Sequence, residues 1–345
     1  MFKPIYKTTN RIIKYISEIS AARELIINTS LLPQWEVKLR KEAIVKMAHH
    51  STSIEGNPLT LEQVKKLISG KKIGAWQKDR DEVLNYIKVL EYIDKLGEEN
   101  TKDITEKNIL RIHQINTKDI LPKEQSGHYR KIPVAVVNGL GEVVFQPPSV
   151  NKVPGLMKDF VSWLNSDSAN ELYPVILSGI SHYEFVRIHP FVDGNGRTAR
   201  ALSTLILYLK GFDTKRFFAL DDYYNEERKR YYAALQTVDP KTLDITKWLE
   251  YFCEGVAVSM NKVKETILQL SLDKRVKDKR GQIFLNERQI KILKYLQTNP
   301  RINSSEIQKM FSVSRETANR IIRILLEKKL IKRSGKGKAT YYELL

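Results

Sequence analysis

Apolar residues recur three and four positions apart over most of the chain. Ile12, Ile16 and Ile19 mark one such face within residues 11–30, and Val37, Ala43, Ile44 and Met47 mark another within 36–54. That spacing stacks side chains along one side of an α-helix. Gly56, Asn57 and Pro58 close the second helix, because Gly and Asn accept the left-handed cap and the residue before proline avoids helical dihedrals. Thr60 and Gln63 have capping-box spacing and open a third helix. Further helices are predicted near 78–96, 105–117, 152–166, 171–187, 196–210, 225–237 and 244–270. Strand character is confined to Pro133–Phe145, where the β-branched runs Val134–Val137 and Val143–Phe145 flank Asn138-Gly139-Leu140-Gly141 as in a hairpin.

Beyond residue 270 the pattern changes. Residues 271–282 carry charge without an apolar face, which predicts an exposed linker and a new domain after it. Asn286 with Gln289, and Asn303 with Glu306, each place a capping residue three before an amide or acid, and Ser314 caps one more helix. Two short strands around a Gly-rich turn follow between Leu330 and Tyr342. Three helices and a basic hairpin within residues 283–345 resemble a winged helix-turn-helix, whose last helix enters a major groove.

A length of 345 residues predicts two or three domains, and 42% hydrophobic with 28% charged residues gives ample core for a soluble globular protein. The longest apolar run, Leu202–Leu209, is interrupted by Ser203, Thr204 and Tyr208 and is far short of the ~20 residues that span a bilayer. The first residues lack the apolar stretch of a secretory signal. Cys253 is the single cysteine, so no internal disulfide and no cysteine-rich zinc site is expected, and the expected location is the cytoplasm. Of the net charge of +18, +12 lies from Asp273 onward, which makes that segment a candidate polyanion binder.

Chemistry concentrates in Ile188-His-Pro-Phe-Val-Asp-Gly-Asn-Gly-Arg-Thr-Ala-Arg200. Gly194 and Gly196 free the backbone to turn N–H groups toward an anion, and the helix that follows adds the positive end of its dipole. Arg197 and Arg200 stand at i and i+3 of that helix and can hold two phosphate groups. Asp193 is a lone hard carboxylate suited to Mg²⁺, which takes its other ligands from water and a polyphosphate. His189 can be neutral near pH 7 and act as a general base.

At every fixed position His189–Arg200 resembles the Fic motif His-Pro-Phe-x-[Asp/Glu]-Gly-Asn-Gly-Arg-x-x-Arg, with weaker likeness over roughly residues 30–270. The resemblance implies a mainly α fold: a Fic-type helical bundle with a β-hairpin flap, followed by the winged helix-turn-helix. Domains are expected at 1–98 (helical region with an inhibitory helix), 99–270 (catalytic core), 271–282 (linker) and 283–345. It implies a protein adenylyltransferase that moves AMP from ATP to a Ser, Thr or Tyr hydroxyl and releases pyrophosphate. His189 would deprotonate the hydroxyl, Mg²⁺ on Asp193 would neutralise phosphate charge, and Asn195 and the loop N–H groups would stabilise the oxyanion. Gly194, Asn195, Gly196, Arg197, Thr198, Ala199 and Arg200 would line the nucleotide site. Gly194 fits adenylylation better than the Ala of a kinase-like branch. By position, Val136, Val137, Asn138 and Gly139 of the flap would touch nucleotide while the flap docks a target segment by strand addition. Tyr223, Tyr224, Tyr231 and Tyr232 are candidates to wall a base, and Tyr232 is the one chosen.

Ser51-Thr-Ser-Ile-Glu55-Gly56-Asn57 matches the family's inhibitory pattern [Ser/Thr]-x-x-x-Glu-[Gly/Asn]. The resemblance implies that Glu55 makes a bidentate pair with Arg200 and blocks productive ATP binding. His49 and His50, as helix neighbours facing different directions, are assigned no metal. Two other readings stay open: a DNA-binding regulator with a nucleotide-sensing Fic domain, carried by Arg315, Thr317, Asn319, Arg320, Arg323, Lys332, Arg333, Lys336 and Lys338, and removal of AMP from modified proteins. Partners would be a target protein, a second copy of the chain, and DNA or protein on the winged helix, with no membrane.

Overall fold

A computed structural model describes all residues except Met1, Ser30, Leu32, Asn100, Asn138, Gly139, Thr214, 278–284, Lys336, Lys338 and Ala339. Helix α1 (Asn10–Asn28) starts on Thr9, whose hydroxyl accepts the Ile12 N–H, and lies along α12 (Thr246–Lys277). Helix α2 (Pro33–Ile54) packs on α4 (Gln77–Glu98), with the short α3 (Leu61–Ile68) between them in sequence. Helices α5 (Glu106–Asn116), α6 (Val153–Leu164) and the single turn α7 (Asp167–Asn170) lead to α8 (Pro174–Ile188), which is buried on every side. A helix buried all round belongs at the centre of a bundle. Helix α9 (Asn195–Leu209) returns along α8. The close approach of α12 to α8 is allowed by Gly179, where a Cβ would press on Leu249 and Phe252 at 2.8–3.1 Å, and Trp248 Nε1 donates to the Gly179 carbonyl at 2.8 Å.

Three expectations change. The stretch 225–237 is two helices, α10 (Leu220–Glu226) and α11 (Arg228–Gln236), broken at Glu227. Residues 225–230 are polar throughout, so no apolar spacing registers the break. The second change is that α12 runs on to Lys277, taking the first seven residues of the expected 271–282 linker. The stretch has no glycine or proline before Gly281 to stop a helix. Residues 278–282 lie outside the described residues. The hairpin is shorter than its sequence runs: β1 (Val136–Val137) pairs antiparallel with β2 (Val143–Phe145) around an irregular register.

At the C-terminal end, α13 (Glu287–Thr298), α14 (Ser304–Phe311) and α15 (Arg315–Glu327) precede the antiparallel pair β3 (Ile331–Ser334) and β4 (Tyr341–Leu344). Asn286 and Asn303 make the expected capping boxes and Ser314 caps α15. Ile302 bridges Tyr342 beside the wing, and Ile292, Leu296, Ile322, Leu325 and Leu330 form a separate core. Val37 of α2 packs against that core, and Lys294 Nζ meets Glu98 Oε1 at 2.6 Å. Among the described residues no helix is long and apolar enough to cross a membrane.

Candidate functional site

The site begins where α8 stops. His189 caps that helix at φ +50°, in the left-handed region, and its carbonyl accepts from Arg130 Nε at 2.8 Å while Arg130 N–H donates to the Pro190 carbonyl at 2.9 Å. A non-glycine residue stays in that conformation only when its surroundings hold it there. The imidazole Nδ1 lies 3.3 Å from the Val186 carbonyl, so Nδ1 carries the hydrogen and Nε2 keeps its lone pair. Burial, reinforced by the Arg130 charge, lowers the imidazole pKa below its ordinary 6.5. The ring is neutral at pH 7, as a base must be.

The loop that follows is held from inside. Phe191 is fully buried, its N–H donates to Asn195 Oδ1 at 3.0 Å, and its carbonyl accepts from Asn195 Nδ2 at 2.9 Å. Asn195 thus uses one acceptor and one donor of its amide to close the loop. Gly194 sits at φ +78° as the N-cap of α9, where an L side chain would be strained and a Cβ would press on Thr117 Cγ2 at 2.9 Å. The first-turn N–H groups of α9 have no partner within the helix and can receive an anion. At Gly196 a Cβ would collide with Glu55 Oε1 and lie 3.2 Å from Arg200 Nη1. The Glu55 carboxylate thus occupies the mouth of this anion site.

Arg200 is 2% exposed. Its Nη2 donates to Glu55 Oε1 at 2.7 Å and to the Ser51 carbonyl at 2.8 Å, and its Nε donates to Ser51 Oγ at 2.8 Å. The Asp221 carboxylate stands 3.2 Å from Nε. Glu55 therefore meets Arg200 through one oxygen, and the expected bidentate pair is replaced by a shared set of acceptors. Burial opposes the Arg200 charge, but Glu55 and Asp221 hold its pKa above the ordinary value. Gly56 follows at φ +98° and ends α2.

Arg197 is equally buried, 3.4 Å from Glu82 and 3.8 Å from Asp193. Among the described residues, Arg197 Nε and Nη1 and Arg200 Nη1 are buried without a hydrogen-bond partner. Buried cationic donors left open beside a helix N-terminus are an anion site. Thr198 and Ala199 are fully buried, Ala199 in the hydrophobic core and Thr198 with its Oγ1 lacking a hydrogen-bond partner. The period that brings Arg197 and Arg200 to one face turns these two inward.

Tyr232 is half-buried, with its hydroxyl 3.4 Å from the Ile54 carbonyl and the Arg228 guanidinium 5.7 Å from its ring centre. Tyr223, Tyr224 and Tyr231 are core residues, and Tyr231 Oη meets His182 Nε2 at 2.9 Å. On the flap, Val136 is half-buried and Val137 and Val143 are exposed, while Asn138 and Gly139 lie outside the described residues. His49 and His50 do not face apart as expected: their Nδ1 atoms are 3.2 Å apart, and His50 Nε2 is 2.9 Å from Asp222. Rotation about χ1 lets helix neighbours converge. Among the described residues no group of three or more His, Cys, Asp or Glu could hold a metal by itself. Sequence reasoning missed Glu82, His113, Arg130 and Asp221. Each lies outside the motif.

Residues 103–207 match the Fic/DOC family, and residues 285–332 match the family described as winged helix-turn-helix DNA-binding. Protein adenylyltransferase Fic of Drosophila grimshawi is 35% identical over 181 residues, 51% of this chain and 35% of that protein. Its namesake in Nematostella vectensis is 35% identical over 188 residues, 53% of this chain and 42% of that protein. The chain thus spans well under half the length of these curated relatives. A Fic family protein from Desulfovibrio desulfuricans G20 shares the fold over 100% of this chain and 98% of its own, with TM-score 0.66 and 24% identity. A Fic domain containing signaling protein from Bacteroides thetaiotaomicron VPI-5482 aligns with 75% of this chain and 97% of its own, with TM-score 0.63 and 26% identity.

Proposed function

Because the chain carries a Fic domain followed by a winged helix-turn-helix domain, we propose that it is an autoinhibited protein adenylyltransferase that transfers AMP from ATP to a protein hydroxyl. The observation that carries this reading is the convergence of a neutral His189 with an α9 N-terminus and buried arginine nitrogens that lack a hydrogen-bond partner, all within one loop and its helix. His189 Nε2 accepts the proton of the target hydroxyl as its oxygen attacks the α-phosphorus. The bond from that phosphorus to the bridging oxygen breaks, and pyrophosphate leaves with the electron pair. Loop N–H groups, Arg197 and Arg200 bind the charge that develops and the outer phosphates. Asp193, a lone carboxylate with a side chain 56% exposed beside the anion site, fits Mg²⁺, a cation that keeps waters and takes other ligands from phosphates. When bound, Mg²⁺ neutralises phosphate charge. The exposed Val137 and Val143 offer the hairpin as the place where an extended target segment adds as a strand.

Glu55 holds the guanidinium nitrogen and the space at Gly196 that an outer phosphate needs, which supports autoinhibition. Losing a charge-assisted hydrogen bond of ~1.5–3 kcal/mol corresponds to about 10–100-fold in phosphate affinity. Wild type, Glu55→Gly and His189→Ala incubated with α-labelled ATP and Mg²⁺, with and without lysate, test the reading. Protein-bound label should be ~10-fold or more stronger with Glu55→Gly than with wild type and absent with His189→Ala. If no variant transfers label although ATP binds, the reading falls and the DNA-binding sensor takes its place. That alternative draws on the exposed Arg315, Asn319, Arg320 and Arg323 of α15.

A further inference from the structure

We propose that His113 is a positioning residue that sets the Asp193 carboxylate for the divalent cation accompanying bound nucleotide; the inference rests on the adenylyltransferase reading. His113 lies on α5, outside the motif, fully buried, with its ring stacked on Phe191 at 3.6 Å between centres and 8° between planes. The Gly127 N–H donates to Nδ1 at 2.9 Å. A backbone N–H can only donate, so Nδ1 is the unprotonated nitrogen and the hydrogen sits on Nε2. Nε2 in turn is 2.9 Å from the Asp193 carbonyl, to which it donates. One backbone amide thereby fixes the tautomer, and the tautomer fixes a peptide carbonyl in the phosphate loop.

The consequence follows from peptide geometry. In a trans peptide the C=O and the next N–H point in opposite directions. With the Asp193 carbonyl drawn toward α5, the Gly194 N–H is turned away from it and donates to Asp193 Oδ1 at 2.6 Å. One carboxylate oxygen is pinned. The other, Oδ2, lies 3.8 Å from Arg197 on a side chain more than half exposed, and is the oxygen presented to a cation. Without the His113 donor the peptide can rotate, and the carboxylate loses the N–H that orients it. Groups that orient a metal ligand typically contribute 10–100-fold to metal affinity.

Two substitutions separate this role from packing. His113→Asn keeps an acceptor near the Gly127 N–H and loses the donor to Asp193, whereas His113→Gln keeps a donor at the Nε2 position and loses the acceptor. Both are made in full-length Glu55→Gly protein. Mn²⁺ binding in the presence of ATP is read by electron paramagnetic resonance, ATP binding in EDTA by calorimetry, and folding by thermal melting. The Asn variant should bind Mn²⁺ with ATP ~10-fold or more weakly than its parent. Its metal-free ATP affinity should match the parent, and the Gln variant should stay within ~3-fold of the parent for Mn²⁺. Equal Mn²⁺ affinity for the Asn variant and its parent overturns the proposal. So does a Gln variant with parental melting and a ~10-fold loss, which decides the matter alone if the Asn variant does not fold. A Glu55→Gly parent that binds no ATP sinks the adenylyltransferase reading itself, and the proposal with it.

Discussion

Arg200 has four acceptors around it, and they differ in how deeply they are rooted. Ser51 and Asp221 are buried, while the Glu55 side chain is 32% exposed and sits just past the end of α2. Glu55 is therefore the partner that can leave without exposing an uncompensated charge, because Asp221 remains. His189 supplies the second test at this scale. Burial lowers its pKa below 6.5, so the neutral base persists into mildly acidic solution and is lost only as pH falls through that lowered value. kcat/KM of Glu55→Gly should be flat from pH 8 to 7 and fall on an acid limb whose midpoint lies below 6.5. A midpoint above that value contradicts the assignment. His189, Asp193, Arg197, Arg200 and Glu55 were legible in the sequence because a short loop must carry its own chemistry in consecutive residues. Glu82, His113 and Asp221 were not. Helical periodicity tells which side of a helix is buried, and says nothing of which polar group on another helix a buried acid or imidazole will meet.

At the scale of elements, caps were the most legible feature: Thr60, Asn286, Asn303 and Ser314 each bond their own helix as their spacing demands. The bonds are local, so local sequence is enough to specify them. The break at Glu227 was illegible because it is set by where α10 and α11 pack, and the polar stretch between them fits either outcome. Buried histidines make elements pH-sensitive. His182 in α8 bonds Ser203 and Tyr231, and burial lowers its pKa to about 3; burial likewise lowers His113 in α5 to about 4. The unfolded chain takes up protons on these rings near 6.5 and the folded one does not, so stability is full above 6.5 and is lost as pH falls below it. The loss is up to about 1.4 kcal/mol per pH unit for each ring. Asp222 is held well below its ordinary 3.8 by its hydrogen bond from His50, so its own contribution fades only as pH falls below 3.8. Burial pushes the Asp213 carboxyl up to about 7, which opposes the loss from the two rings over the same range. The test is therefore the difference in urea midpoint between pH 7 and 5: His182→Gln should lose less than wild type, and an equal change in both would show that His182 is not buried as described.

For the whole molecule, the excess charge and the second core belong together. Half of the net charge of +18 lies in residues 285–345, the segment of the winged helix, and α15 turns Arg315, Asn319, Arg320 and Arg323 outward while Ala318, Ile321, Ile322 and Leu325 face its core. The docked side is different: α13 lies on α2, and Lys332 is drawn to Glu343 at 3.2 Å. Lys332 thus has an internal partner that the sequence did not reveal, because strand register decides which wing residues face each other. Lys336 and Lys338 lie outside the described residues. The face left open for a polyanion is α15, which fits a DNA duplex through phosphate contacts and base edges. Each arginine that neutralises a phosphate adds ~0.9 to the slope of log affinity against log salt. Arg320→Ala with Arg323→Ala should therefore weaken duplex binding and reduce that slope by about 2 in a fluorescence titration from low to moderate salt. AMP transfer by the same protein should not change, since both residues sit on a separate core from His189. Binding that keeps its full salt slope without these arginines would move the interface off α15 and onto another face of the domain.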